Sequence, residues 1–171
     1  MKARMLMLAV LALTPIAVYA HDAEHHGMMP GMMHEMAAGG HEEDGGHAQA
    51  VGGPGDAKKV SRAIQVVMSD DMKFTPASIE VKRGESIRFL VRNAGSIKHE
   101  MVIGTMAELK QHAALMRRFP GMEHSDPNMI TLDPGESGEL IWQFTKAGRF
   151  DFACLQPGHF EAGMIGEVLV K

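Results

Sequence analysis

The chain has 171 residues, which allows one ordinary domain plus extensions. It carries 17 basic and 21 acidic residues, and loss of Lys2 and Arg4 with an N-terminal signal would leave 15 basic residues and a net charge of −6. This acidic balance excludes nucleic-acid binding driven by phosphate neutralisation, and the single cysteine excludes a disulfide within the chain.

Residues 1–20 have the pattern of a secretory signal peptide. Lys2 and Arg4 precede an apolar stretch, and small residues around Ala20 provide a cleavage site. The apolar stretch is short for a bilayer crossing, although a retained N-terminal anchor is the alternative. We therefore expect export to the periplasm and no membrane-spanning segment in the mature chain.

Residues 21–49, here called the tail, are rich in histidine and methionine. They contain no branched aliphatic or aromatic side chains, so we expect disorder in the absence of metal. Thioethers favour Cu(I) and imidazoles also accept Cu(II), which makes the tail a candidate for additional copper ions. The alternative is a neutral low-complexity linker. The candidate tail ligands are His21, His25, His26, Met28, Met29, Met32, Met33, His34, Met36, His41 and His47.

Residues 50–59 have the glycine-rich composition of a flexible linker, which would end the disordered region 21–59. From residue 60 onward, short alternating segments separated by turn residues predict strands. Ile87, Phe89 and Val91 show the two-residue period of a half-buried strand. Residues 105–119 instead have a helical period that begins with the capping-box spacing of Thr105 and Glu108. The pattern over residues 60–171 therefore predicts an all-β sandwich with one helical insertion.

Three side chains near the end of the chain have metal-ligand chemistry at equal spacing. Four residues separate Cys154 from His159, and four more separate His159 from Met164. A thiolate, an imidazole and a weak thioether favour copper over zinc. Such a copper site needs a second histidine, and we expect His99, where an apolar run begins after a glycine-containing turn. The alternative is a buried structural cysteine with surface histidines.

These four residues resemble the ligand set of the cupredoxin family, which includes plastocyanin, azurin, pseudoazurin and rusticyanin. The spacing is most similar to that of rusticyanin. The resemblance implies a Greek-key β-sandwich that holds one type 1, redox-active copper on His99, Cys154, His159 and Met164. With its tail, the chain most resembles the exported cupredoxins of bacterial copper-resistance systems.

The resemblance implies a periplasmic, monomeric protein of copper tolerance and homeostasis. A plain electron-transfer cupredoxin of a respiratory or photosynthetic chain is the alternative, and either role would involve a redox or copper-transfer partner protein. We expect no catalytic residues, because the chain lacks the His-x-His pairs of multicopper oxidases and a second cysteine for a dinuclear site. Oxidation of Cu(I) at the single site remains open.

Three further residues have no settled role in the sequence. Many cupredoxins place Asn or Ser after the first histidine ligand, whereas this chain has Glu100, which we interpret as a solvated strand residue rather than a neighbour of the metal. His112 and His124, with methionines nearby, allow a second metal site, although surface and core positions are the simpler interpretation.

Overall fold

The computed structural model describes residues 50–122 and 124–171, in which ten strands and one α-helix form. The strands are β1 (Gly52–Pro54), β2 (Arg62–Ser69), β3 (Lys73–Thr75), β4 (Ser78–Val81), β5 (Ser86–Asn93), β6 (His99–Gly104), β7 (Met129–Leu132), β8 (Ser137–Phe144), β9 (Gly148–Ala153) and β10 (Ile165–Val170). The helix is α1 (Met106–Arg118), and it connects β6 to β7.

The strands form two five-stranded sheets. The first sheet has the order β1-β8-β5-β2-β3 and the second has the order β4-β10-β9-β6-β7. β2 pairs in parallel with β5 and β4 pairs in parallel with β10, while the other neighbours are antiparallel. The predicted mostly-β fold with two sheets and one helix is therefore confirmed. The predicted signal peptide and tail lie outside the described residues.

One apolar core fills the space between the sheets. Ile87, Phe89 and Val91 are all buried in it, as their alternation predicted, together with Trp142 on the adjacent β8. Each buried side chain of this size contributes about 1.5–3 kcal/mol relative to its exposed state. The Phe74 and Phe152 rings join the two sheets in an edge-to-face contact, with 4.9 Å between their centroids.

Helix α1 begins at the predicted capping box. The Thr105 side chain accepts a hydrogen bond from the Glu108 N–H, and the Glu108 carboxylate accepts one from the Thr105 N–H. The buried face of the helix packs against Leu155, which follows Cys154 directly. The helix therefore holds one side of the segment that carries the candidate metal ligands. In the described part of the chain, no helix has the length and apolar character needed to cross a membrane.

The interpretation of residues 50–59 as a flexible linker is wrong for its first half. Gly52–Pro54 form strand β1, which pairs with residues 142–144 of β8, and Val51 is fully buried. The glycine at position 52 is required by this pairing, because a Cβ there would lie only 1.9 Å from the Gln143 carbonyl oxygen. A tight approach of two backbones, rather than flexibility, accounts for glycine at this position.

Candidate metal centre

The candidate ligands lie where three neighbouring strands of the second sheet begin or end. His99 is the first residue of β6, Cys154 follows the end of β9, and Met164 precedes β10. Because β9 is antiparallel to both β6 and β10, the end of β9 lies beside the starts of the other two strands. The fourth candidate, His159, is in the loop that connects β9 to β10.

His99, Cys154 and His159 come together in one cluster, with their ligand atoms all within 4.8 Å of one another. Cys154 Sγ lies 3.2 Å from His159 Nδ1 and 3.9 Å from His99 Nδ1. The two imidazole rings are tilted by 50°, and their centroids are 4.8 Å apart. Both Nδ1 atoms therefore face the sulfur, as two ligands of a shared metal ion would.

Met164 is fully buried and fixed to the same cluster through its backbone. Its carbonyl accepts a hydrogen bond from the Cys154 N–H at 3.1 Å, and its N–H donates to the His159 carbonyl at 3.0 Å. The loop that separates these residues turns at Gly158, whose φ of +88° agrees with the turn expected at Pro157-Gly158. Placing Met164 among the metal ligands remains a prediction.

Asp70 orients His99 from the side opposite to Cys154. Its Oδ1 lies 3.1 Å from His99 Nε2, while its Oδ2 accepts hydrogen bonds from the Ser96 N–H and hydroxyl at 2.8 and 2.6 Å. The Ser96 hydroxyl, the Ser96 N–H and His99 lower the pKa of Asp70 to about 2. The charged carboxylate therefore favours the His99 tautomer with hydrogen on Nε2, which leaves the Nδ1 lone pair directed at the cluster.

The loop before His99 is also fixed by a buried polar residue, Asn93. Its amide nitrogen donates to the carbonyls of Ile97 and Leu132 at 2.8 and 3.0 Å, and its amide oxygen accepts from the Gly95 N–H. These bonds tie the turn to the neighbouring strand β7. They restrain the backbone that leads into His99.

Glu100 is not a solvated strand residue, so the sequence-based interpretation is wrong. Its side chain is buried, and the carboxylate accepts hydrogen bonds from the Leu155 N–H at 2.9 Å, the Gln156 amide at 3.1 Å and the Thr131 hydroxyl at 3.3 Å. Its own N–H donates to Cys154 Sγ at 3.4 Å. Glu100 therefore connects the His99 strand to the Cys154 loop.

The buried Cys154 thiol needs a nearby positive charge, such as a metal ion, before it can ionise. Burial raises the pKa of Cys154 to about 12, although the hydrogen bond from the Glu100 N–H acts in the opposite direction. Burial, and then His99, lower the pKa of His159. An imidazole whose pKa is lowered and a thiol that a cation would ionise suit a metal ion that binds nitrogen and sulfur.

This donor set fits copper in chemistry and in burial. His99 and Cys154 are fully buried, His159 is half-buried, and the described residues contain no second thiolate of the kind that structural zinc sites prefer. The spacing identified Cys154 and His159, and the turn before an apolar run identified His99, whereas the sequence did not predict the contacts of Asp70 and Glu100. The tail ligands lie outside the described residues and stay a prediction.

Sequence comparisons agree with the chemistry of this cluster. The family described as copper binding proteins, plastocyanin/azurin family, matches residues 60–171. The chain is 53% identical over 144 residues to the copper-resistant cuproprotein CopI of Rubrivivax gelatinosus, which covers 80% of this chain and 87% of that relative. It is also 34% identical over 168 residues to the copper-resistant cuproprotein CopI of Vibrio cholerae. That alignment covers 95% of this chain and 96% of the relative.

Solved structures with a similar fold include two auracyanins. The reduced auracyanin of Roseiflexus castenholzii has a TM-score of 0.55 at 22% identity and covers 66% of this chain and 98% of its own. Auracyanin B has a TM-score of 0.57 at 18% identity, and the match covers 70% of this chain and 94% of auracyanin B. At this identity the likeness shows the fold alone.

Proposed function

The chain belongs to the plastocyanin/azurin family of copper-binding proteins, and we propose that it is a periplasmic protein of copper tolerance with one redox-active type 1 copper. Its copper-resistant relatives support the role in tolerance. The observation that carries the proposal is the buried Cys154 thiol facing the Nδ1 atoms of His99 and His159. Bound copper would supply a one-electron Cu(I)/Cu(II) couple.

The residues of the chain prepare this site in three ways. Asp70 sets the tautomer of His99, Glu100 holds the strand and loop ligands in register, and burial excludes water from the thiolate. The Cys154 thiol must lose its proton on metal binding, so binding should release a proton. A site whose ligands are already held in place needs little rearrangement when the charge of the ion changes.

We propose a role other than an enzyme for the folded domain. Four protein ligands, with Met164 as the weak one, would leave no open coordination position for a substrate. The tail would add capacity for further copper ions through its eleven histidine and methionine side chains. This division assigns capture of excess copper to the tail and redox chemistry to the domain.

The first test is spectroscopic. The oxidised copper protein should absorb strongly in the visible range through charge transfer from the Cys154 thiolate, and Cys154→Ser should abolish that band while the sandwich stays folded by circular dichroism. The Ser variant conserves the size of the side chain but is a poor ligand for copper. A Cys154→Ser protein that keeps this strong visible band would refute the assignment of the copper ligands.

The second test is genetic. A deletion strain should be hypersensitive to graded copper yet respire normally in copper-poor medium. The wild-type gene should restore tolerance, Cys154→Ser should fail at equal protein level, and a chain without residues 21–49 should restore it in part. A deletion strain with normal copper tolerance but impaired electron flow to a terminal acceptor would identify a plain electron carrier instead.

A further inference from the structure

A second group of metal-ligand side chains lies outside the Cys154 cluster. His112 on α1 and His124 on the segment after it face each other, with ring centroids 4.6 Å apart and an angle of 45° between the rings. Both residues line one groove together with Met122. All three residues lie in the connection from β6 to β7.

The ring of His124 has unused hydrogen-bonding capacity. Both of its nitrogens are shielded from solvent, and neither has a hydrogen-bond partner among the described residues. Asp126 Oδ2 lies 3.6 Å from Nε2, which is longer than a normal hydrogen bond. Buried polar atoms without a partner are uncommon and costly, and a bound ion is one way of satisfying them.

The surroundings of His112 favour its neutral form, which can bind a metal ion. Its side chain is half-buried, and its pKa is lowered first by burial and then by the neighbouring His124. Glu100 and Asp126 act in the opposite direction. The neutral ring that results keeps the lone pair that metal binding requires.

The side chains around the two histidines include thioethers, which are soft metal ligands. Met122 is exposed enough to reorient, and Met116 and Met129 line the adjoining groove that also contains Met122 and His124. Thioethers select Cu(I) over harder divalent ions, whereas imidazoles accept both. Two imidazoles with a thioether therefore favour the monovalent ion.

We propose that His112, His124 and Met122 bind a second copper ion, as Cu(I), in this groove. The site is separate from the cluster of His99, Cys154 and His159 and does not depend on its assignment. Glu100 lines the adjoining groove with His124, and its N–H donates to Cys154 Sγ, so one residue is shared by the surroundings of both sites.

A direct test uses Ag(I), a diamagnetic stand-in for Cu(I), on the full-length wild-type protein. Methionine methyl and histidine ring signals are assigned by NMR, and Ag(I) is added stepwise. We expect the Met122 methyl signal and the ring signals of His112 and His124 to shift together and to saturate. If the tail and Cys154 signals shift while these three residues do not, the proposal is wrong.

A second measurement counts Cu(I) by competition with a chromophoric chelator. The full-length double variant His112→Gln/His124→Gln should bind one Cu(I) ion fewer than the wild type while the visible band of the Cys154 site is retained. Lys110→Gln/Arg118→Gln is the control, since it also changes two residues of α1 to Gln, but both are exposed and neither lines the groove. An unchanged Cu(I) count in the groove variant, or tight binding of Zn(II) but not Cu(I) to the groove, would overturn the assignment. Loss of the Cys154 band alone would count against the proposed function and not against this site.

Discussion

Asp70 is the residue whose contribution to the metal centre can be isolated most cleanly. It contacts His99 through Nε2, on the side of the ring away from Cys154, and it lies on the exposed turn after β2. Carboxylates that hold a metal-binding histidine fix its tautomer and raise its basicity. We therefore regard Asp70 as a positioning residue that acts through His99.

Replacing Asp70 with Asn should weaken copper binding without unfolding the domain. The amide keeps the size of the side chain but loses the charge, so copper affinity should fall by roughly 10–100-fold. Chelator competition measures the affinity, and the visible band should shift with it. The matched control is Asp71→Asn, the adjacent aspartate, which makes no side-chain hydrogen bond among the described residues and should leave affinity unchanged. Equal affinities for the two variants would show that Asp70 has no such role.

Glu100 offers a second prediction at the same scale. In Glu100→Gln the NH₂ group replaces one carboxylate oxygen, so either the Leu155 N–H loses its acceptor or the Gln156 amide and the Thr131 hydroxyl must turn to accept from the new donor. The net loss of one hydrogen bond costs about 0.5–1.5 kcal/mol. We expect the metal-free variant to lose about this much in urea unfolding, and its copper form to show a shifted visible band.

Thr131→Val is the control for Glu100, because it removes only the longest of the three hydrogen bonds. It should cost less than Glu100→Gln and leave the visible band in place. If Glu100→Gln matches the wild type in both unfolding and spectrum, the carboxylate does not connect the ligand loops in the way that its hydrogen bonds indicate.

At the scale of the elements, β9 and β10 contain an unfavourable charge pair. Asp151 and Glu167 are directly opposite each other in the antiparallel register, and Arg149 pairs with Glu167. Burial, and then Glu167, raise the pKa of Asp151. A carboxyl whose pKa is higher in the folded state than in the unfolded state makes folding less favourable once it ionises.

Asp151→Asn should therefore stabilise the metal-free protein at neutral pH. Relief of a cross-strand like-charge pair contributes about 0.2–1 kcal/mol. The gain should be largest at pH 7, decrease as pH falls through the raised pKa of Asp151, and disappear below about pH 3, where aspartate is protonated in the unfolded chain too. Urea unfolding at several pH values measures this dependence, with Asp71→Asn as the control outside the sheets. A gain that is independent of pH would mean that charge is not its cause.

Local pattern was enough to predict most of the elements. The alternation of Ile87, Phe89 and Val91 and the capping box of Thr105 and Glu108 are short-range signals, and the structure agrees with both. Strand β1 was missed because its glycines have the composition of a linker. The pairing that makes Gly52 necessary involves Gln143, some ninety residues later in the chain, and no local pattern contains that information.

The proposed ligands follow a short-range sequence pattern, whereas the residues that support them depend on contacts between distant parts of the chain. Cys154, His159 and Met164 lie on one loop, so their spacing was visible in the sequence. Asp70 meets His99 from 29 residues away, and Glu100 meets Leu155 from 55 residues away, through strand pairings that only the fold defines. In isolation Asp70 resembled a residue at the end of a strand, and Glu100 resembled an outward-facing strand residue.

At the scale of the whole molecule, candidate copper ligands divide into two kinds. The folded domain holds the buried His99 and Cys154 and the half-buried His159 in one arrangement that suits a single ion. The tail offers eleven histidine and methionine side chains and contains no branched aliphatic residue, phenylalanine, tyrosine or tryptophan. Fixed ligands favour a defined geometry and redox behaviour, whereas a chain of many separate ligands favours capacity.

The two kinds of ligand should consequently be separable by experiment. A chain without residues 21–49 should bind fewer copper ions while keeping the visible band of the folded site unchanged, because all the proposed ligands of that site lie in the folded domain. Metal analysis after dialysis gives the number of ions, and the absorption spectrum monitors the folded site in the same sample.

The control keeps the length of the tail but replaces its histidines with Gln and its methionines with Leu, and it should lose the same number of ions as the deletion. If the deletion lowers the copper content but this full-length variant does not, the tail binds through its backbone and acidic groups rather than its soft ligands. If neither lowers it, the tail is a low-complexity linker and the copper capacity of the protein resides in the folded domain.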